Sequence, residues 1–270
     1  MPLHVERRDR VAILTLDEPE RRNALSMELV GEIVDAVAAI EADDGVGAVV
    51  VTGAPPAFCS GADVSALRAM SGSKDERERD PGEVHSIYDG FLAIRDCSVP
   101  TLAAVNGPAV GAGFNLALAC DVRFVCPSAR FDARFAKIGI HPGGGHTWLL
   151  ERAVGPQAAF ALDLFGERVE GQRAVEIGLA WRCVADDELL DTAVEYAAGA
   201  AKVERELARA IKATMREVPW LTSYDQAVET ELARQRWSFE QGYLDTRPGE
   251  QASRSRFPAE QRAGPERPGA

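Results

Sequence analysis

The sequence predicts an α/β fold with parallel crossovers, and three observations carry that prediction. β-rich apolar runs alternate along the chain with segments of helical spacing. Turn-prone or glycine-rich stretches separate them. Hydrophobic residues make up 46% of 270 and charged residues 27%, an ordinary globular composition with enough apolar surface for a sizeable core.

The elements follow in order. Val11 to Leu16 is a β-rich run, closed by the turn-prone Asp17 to Arg22. Met27, Val30, Val34, Val37 and Ile40 then recur at the spacing of an amphipathic helix. Ala48 to Thr52 is a strand of the buried type, Gly53 to Ser60 a loop, and Ala62 to Met70 the start of a second helix. The charged, small-residue segment Ser71 to Pro81 interrupts it and is expected to be a mobile surface loop. A helix over Glu83 to Asp96 leads into a strand over Thr101 to Asn106, a glycine-rich turn over Gly107 to Gly113, and a helix over Phe114 to Cys120. Val122 to Cys126 is a short strand. Thr147 to Ala210 is mainly helical, with one strand-like insert at Ala180 to Val184. From these readings residues 1–195 form the core and 196–248 a helical C-terminal region. The Pro-, Gly-, Ser- and Arg-rich stretch 249–270 is expected to be a disordered tail. No repeat of fixed period points to a solenoid.

Thirty Lys and Arg against 42 Asp and Glu leave a net charge of −12, which argues against a general nucleic-acid binder, since that needs a basic face. No apolar run approaches the roughly 20 residues of a membrane span, and the polar start, Met1 to Arg10, lacks the apolar core of a secretion signal. The expected location is the cytoplasm, without membrane contact. Five cysteines with no CxxC pair are read as reduced thiols, most of them buried fillers.

Two glycine turns carry the chemistry. Gly111, Ala112 and Gly113 precede an apolar helix, and unpaired backbone amides at such a helix start suit an anion or a developing oxyanion. The same glycines also suit close packing of helix on strand. GAGFNL is not a dinucleotide fingerprint, because its sixth position is Leu116. Cys59 to Asp63 forms a second such turn, in which Asp63 caps a helix or sits in its first turn. One donor from each turn converging on a single carbonyl would polarise it.

Taken together, Arg22-Asn23-Ala24-Leu25-Ser26, Phe58-Cys59-Ser60-Gly61-Ala62-Asp63, Val105-Asn106-Gly107 through Gly111-Ala112-Gly113, and Ala119-Cys120-Asp121 resemble the crotonase superfamily, or enoyl-CoA hydratase/isomerase family, over roughly residues 5 to 240. The resemblance implies a crotonase-like core of repeated ββα units, a helical C-terminal region, and a homotrimer or dimer of trimers. It implies an acyl-CoA thioester as substrate, with the coenzyme A moiety part of that substrate and no separate cofactor. The backbone amides of Ala62 and Ala112 would form the oxyanion hole, flanked by Gly61, Asp63 and Gly111. Arg22, Asn23 and Ala24 would help to hold the coenzyme A moiety.

In the hydratases that the chain resembles, two glutamates do the acid and base work. Their positions carry Asn115 and Phe135 here, and neither side chain exchanges a proton at neutral pH. Asp132, Arg134, His141 and His146 stand nearby in sequence. His141 is the preferred base, being six residues beyond Phe135, of a type that titrates near neutrality, and followed by Pro142-Gly143-Gly144-Gly145. Both histidines also fit a purely structural role, and no third ligand at a recognisable spacing makes them a metal site. His85 and Tyr88, three apart, share a helix face that lines an acyl pocket or faces solvent. The expected function is an enoyl-CoA hydratase/isomerase-type lyase or isomerase with non-standard acid/base groups. The alternative is a protein that holds acyl-CoA without turning it over.

Overall fold

The computed structural model describes residues 1–63 and 86–244. The expected helix over Ala62 to Met70 beyond Asp63, the loop Ser71 to Pro81, His85 and the tail 249–270 lie outside the described residues. The chain divides into two compact units, Met1–Pro219 and a second one from Trp220 onward.

The first unit is built on a six-stranded sheet in the order β1, β2, β3, β4, β6, β9. β2 (Val11–Leu16), β3 (Ala48–Gly53), β4 (Thr101–Val105), β6 (Val122–Val125) and β9 (Arg182–Cys183) run parallel, and β1 (Leu3–Arg8) joins antiparallel to β2. All six residues of AVVVTG in β3 are buried, as expected of a central strand covered on both faces. β1 was not expected from the sequence. Only Leu3 of LHVERR is buried, so this edge strand has no apolar period to read, and its charges suit an unpaired sheet edge.

Helix α1 (Met27–Ala42) buries Leu29, Val30, Ile33, Val37 and Ile40, and its first turn is capped by Ser26, whose Oγ accepts from the Leu29 N–H at 3.1 Å. α2 (Ile87–Asp96) opens at Ser86, whose N–H donates to Asp89 Oδ2 at 2.6 Å. The expected turn over Gly107 to Gly113 is corrected. It contains a strand, β5 (Pro108–Val110), and helix α3 (Ala112–Ala119) starts two residues earlier than Phe114. All eight residues of α3 are buried, which makes it the central helix of the unit.

β5 pairs in parallel with β7 (Arg130–Asp132), and β7 pairs antiparallel with β8 (Val169–Glu170), to give a second, three-stranded sheet. Two- and three-residue strands carry no readable period, so this sheet was not expected.

α4 (His146–Asp163) is broken at Gly155, at φ 76° and ψ 167°, followed by Pro156. That backbone region is open only to glycine, and proline cannot continue the preceding ladder. α5 (Gly171–Glu176) leads to β9, and α6 (Leu189–Ala201) packs on β2, β3 and β4. α7 (Arg205–Glu217) is tied down through Lys212, which donates to the Val99 carbonyl at 2.7 Å and pairs with Asp121 at 2.6 Å. In the second unit, α8 (Tyr224–Glu240) is capped by Ser223, whose Oγ accepts from the Gln226 N–H at 3.2 Å.

The five cysteines are unpaired, and all but Cys183 are buried. Burial pushes the Cys59 and Cys120 thiols up to about 12 and Cys97 to about 11, which leaves them inert fillers.

Asp132, at the end of β7, is buried among three cations, with Arg168 at 2.9 Å, Arg134 at 3.3 Å and Lys137 at 3.5 Å. Burial alone would raise its carboxyl, but Lys137, Arg168 and Arg134 outweigh burial and hold it below the ordinary carboxylate value. A base so stabilised in its ionised form is a poor proton acceptor. A carboxyl with a depressed folded pKa contributes stability above its unfolded value of about 3.9 and loses it as pH falls through the folded value. Asp132→Asn should therefore lower the Tm at pH 7 and flatten the fall in Tm between about pH 4 and pH 2. Thermal melts across that range check it, and a parallel acid limb in both proteins would contradict it.

Candidate active site

The stretch Cys59 to Asp63 runs between two neighbours. Cys59 exchanges hydrogen bonds with β5, its N–H donating to the Pro108 carbonyl at 3.1 Å and its carbonyl accepting from Val110 at 3.0 Å. Two residues on, the stretch bonds instead to the segment after Arg22. The Gly61 carbonyl accepts from Leu25 at 2.8 Å, and the Asp63 N–H donates to the Leu25 carbonyl at 3.1 Å. The positive φ of Gly61, 103°, is where the strand's alternation breaks. With Gly61 O and Asp63 N committed to Leu25, the Ala62 N–H faces away from Leu25.

Gly111 supplies the other turn. Its N–H donates to the Asp132 carbonyl at 3.0 Å, and its φ of 52° with ψ of −115° opens α3 at Ala112. The two turns touch. A Cβ on Gly61 would stand 2.6 Å from the Val110 carbonyl oxygen and 3.7 Å from the Ala112 nitrogen. Among the described residues, neither the Ala62 nor the Ala112 N–H has a backbone acceptor. Ala112 is one of the unsatisfied donors that every helix start leaves.

Asn23 shapes the first wall. Arg22 and Asn23 both adopt positive φ, at 54° and 56°. The Asn23 side chain is fully buried and spent on backbone. It donates to the carbonyls of Ala54 and Ala57, each at 2.8 Å, and accepts from Glu18 N–H at 3.0 Å. Asn23 is thus a clamp between two loops, Ala24 is buried behind it, and Arg22 is exposed. Asp63 forms an ion pair with Arg21.

The second sheet brings together residues more than 20 apart in the chain. Because β7 lies beside β5, the Phe135 ring comes to 3.8 Å from where a Gly111 side chain would begin. Phe135 also meets the His146 ring edge-on, with centroids 4.9 Å apart, and Phe114 does so at 5.2 Å. Asn115 lies in the same group. Its Nδ2 donates to the Gly143 carbonyl at 2.9 Å, and its Oδ1 is 2.5 Å from His146 Nδ1. Asn115 and His146 are each 1% exposed.

Of the two histidines, His146 is the one joined to Asn115 and Phe135. His141 is exposed, with Nδ1 2.6 Å from the Pro142 carbonyl. Asp163 was not singled out in the sequence. It reaches His146 Nε2 at 3.0 Å because the break at Gly155-Pro156 folds the second half of α4 back on the first. The dipeptide is a legible breaker, but the direction of the fold-back is not. Tyr88 is half-buried beside Phe91 and packs against Gly143. No cluster of His, Cys, Asp or Glu able to hold a metal occurs among the described residues, and no helix there is long and apolar enough to cross a membrane.

Comparison with known proteins places this arrangement in a family. The family model described as enoyl-CoA hydratase/isomerase matches residues 6–241. A probable enoyl-CoA hydratase of Mycobacterium tuberculosis, EchA14, is 53% identical over 208 residues, covering 76% of this chain and 78% of that protein. The 1,2-epoxyphenylacetyl-CoA isomerase of Escherichia coli K12 is 34% identical over 203 residues, covering 72% of this chain and 73% of its own length. Among solved structures, an enoyl-CoA hydratase from Polaromonas sp. JS666 superposes with a TM-score of 0.81 at 28% identity, covering 90% of this chain and 93% of that one. The strand order, the paired glycine turns and a family match across most of the chain agree, and the protein belongs to the enoyl-CoA hydratase/isomerase family, with its crotonase fold.

Proposed function

We propose that the protein is an acyl-CoA enzyme of hydratase or isomerase type that polarises its substrate's thioester carbonyl between the backbone amides of Ala62 and Ala112. The observation that supports this reading is that the Gly61 turn stands against Val110 and the Ala112 nitrogen, with neither the Ala62 nor the Ala112 N–H bonded to a backbone acceptor among the described residues. Preorganised donors of this kind are worth about 10² to 10³ in rate each. Gly61, Gly111 and Asp63 frame the carbonyl site, and Arg22 with the Asn23-Ala24 wall holds the coenzyme A moiety, so that no further cofactor or metal is needed. Assembly as a homotrimer or dimer of trimers belongs to the same proposal, and the exposed Phe160, Leu164 and Phe165 near the end of α4 suit a subunit contact.

Asn115 and Phe135 stand where the resemblance implies acid and base. Without them, addition of water to crotonyl-CoA should be slow compared with relatives that carry both glutamates, since one positioned acid or base contributes about 10² to 10⁴. The group proposed to move the proton is His141. Its Nδ1 faces a carbonyl, which can only accept, so Nδ1 carries the hydrogen and the neutral ring keeps its lone pair on Nε2. His141→Ala should lower turnover by about 10²-fold or more and leave acyl-CoA affinity nearly unchanged. Unchanged turnover in the folded variant would remove His141 from the mechanism.

A second reading rests on the same two positions: with Asn115 and Phe135 in place of proton carriers, the chain would hold acyl-CoA without turning it over. A panel of enoyl-CoA and saturated acyl-CoA thioesters, assayed for turnover beside calorimetric binding, separates the two. Binding without turnover of any member selects the second reading, and no heat with any thioester overturns both.

A further inference from the structure

One buried group near the carbonyl site has its hydrogens fixed by its partners. Gly143 O is an acceptor, so the atom of Asn115 that meets it at 2.9 Å must be the amide nitrogen, and Oδ1 is thereby turned to His146. Oδ1 also only accepts. The 2.5 Å contact therefore requires a hydrogen on His146 Nδ1. Nε2 is 3.0 Å from Asp163 Oδ1, and the Asp163 side chain is only 11% exposed. Between this nitrogen and this oxygen a second hydrogen is shared, either as imidazolium against carboxylate or as imidazole against carboxylic acid. The surrounding walls are the rings of Phe114 and Phe135.

Such a group is costly where it stands. Apolar residues of the same volume would fill a space lined by two phenylalanines without the desolvation that a buried ionisable pair carries. What the pair does is hold two things at once: the carboxamide of Asn115, the fourth residue of α3, and, through Gly143, the glycine loop. A Cβ on Gly144 would run into the Phe91 ring and stand 3.2 Å from Asn115 Nδ2, so the loop is seated directly on this carboxamide. His141 begins that loop.

We infer that His146 and Asp163 are a positioning pair for the carbonyl site, with the hydrogen on His146 Nδ1 locking the Asn115 carboxamide and, through Gly143, the loop that carries His141. The inference rests on reading the site as an acyl-CoA site. Asp163 fixes the ring from behind, the Gly155-Pro156 break brings Asp163 to it, and Asn115 transmits the lock to the loop. A displacement of about 1 Å at a reacting group costs on the order of 10²-fold in rate, so the pair acts on turnover more than on affinity.

The experiment uses the full chain, with three readouts on the parent protein, His146→Phe and Asp163→Asn. The first is ¹⁵N-resolved NMR of the His146 ring and the Asn115 side-chain amide. The second is turnover of crotonyl-CoA, resolved into kcat and KM, and the third is calorimetric binding of butyryl-CoA. Nδ1 of His146 should be protonated in the parent protein, with a single set of Asn115 amide signals. His146→Phe should lower kcat by about 10²-fold with butyryl-CoA affinity within about threefold of the parent, and should broaden or split the Asn115 signals. Asp163→Asn can donate its side-chain N–H to the Nε2 lone pair and so leave the hydrogen on Nδ1, and this variant should keep most of the turnover that His146→Phe loses. An unprotonated Nδ1, or a folded His146→Phe protein with the parent's kcat and unchanged Asn115 signals, overturns the inference. Should His146→Phe fail to fold, the ring spectrum and Asp163→Asn decide. If the parent neither binds butyryl-CoA nor turns over crotonyl-CoA, the thioester reading fails by itself, and the NMR spectra still decide whether the lock exists.

Discussion

Replacing Ala112 by proline is expected to lower enoyl-CoA turnover by about 10² to 10³-fold while leaving the fold intact. Ala112 is the first residue of α3, the position where proline is best tolerated in a helix, since its N–H has no helical partner there. The preceding Gly111, at φ 52° and ψ −115°, is already extended in the mirror-image sense and does not need the α-region that proline forbids to its predecessor. The substitution removes one donor from the proposed carbonyl site, places a methylene where the hydrogen stood, and touches little else. Helical circular dichroism and the melting temperature should change slightly. Steady-state turnover of crotonyl-CoA is the measurement, and a rate within threefold of the parent's would exclude the Ala112 amide as a carbonyl donor.

Gly113→Ala should produce the largest loss of stability among conservative changes in α3. A Cβ there would run into the Cys59 carbonyl oxygen and stand 2.7 Å from its carbon and 2.8 Å from its Cβ. These are backbone and stem atoms of a strand pinned on both sides by Pro108, Val110 and Arg22, so they cannot yield as a flexible side chain would. Alanine gains up to about 1 kcal/mol over glycine inside a helix, but overpacking against a fixed backbone costs about 1 to 3 kcal/mol or more. The clash wins. A net loss of about 2 kcal/mol in a unit of this size corresponds to roughly 4 to 8 °C in Tm. Turnover should fall as well, because the clash drives the start of α3 away from Cys59 and so parts the two turns that carry Ala62 and Ala112. A Tm equal to or above the parent's would show that α3 and the Cys59 strand do not approach so closely.

The alternation of strand and helix was legible because β3, β4 and α1 each carry a long apolar pattern: six buried residues in β3, five in β4, and a helical stripe of five in α1. β1, β7 and β8 carry none, being polar and edge-exposed or only two to three residues long. That loss matters for the site, because the short β5 to β7 pairing is what sets Phe135 over Gly111. The two turns were legible through their glycines, which the chain needs for positive φ at Gly61 and Gly111. The choice between His141 and His146 was not, since burial depends on the fold-back of α4. Both histidines lie within 11 residues of Phe135, and only the broken helix, with Asp163 on its second half, separates an exposed ring from a buried one. Asn23 read as a ligand-holding residue, whereas its side chain is spent on three backbone groups at 2.8 to 3.0 Å, which gives it its place in the wall of the site.

Whether two backbone amides hold a thioester carbonyl is read directly from a crystal structure of the protein with butyryl-CoA bound. The thioester oxygen should lie roughly 2.7 to 3.1 Å from both the Ala62 and the Ala112 nitrogen, with the acyl chain directed towards Asn115 and Phe135. A carbonyl oxygen more than about 4 Å from either nitrogen, too far for a hydrogen bond, in a complex whose coenzyme A moiety is well ordered, would contradict it.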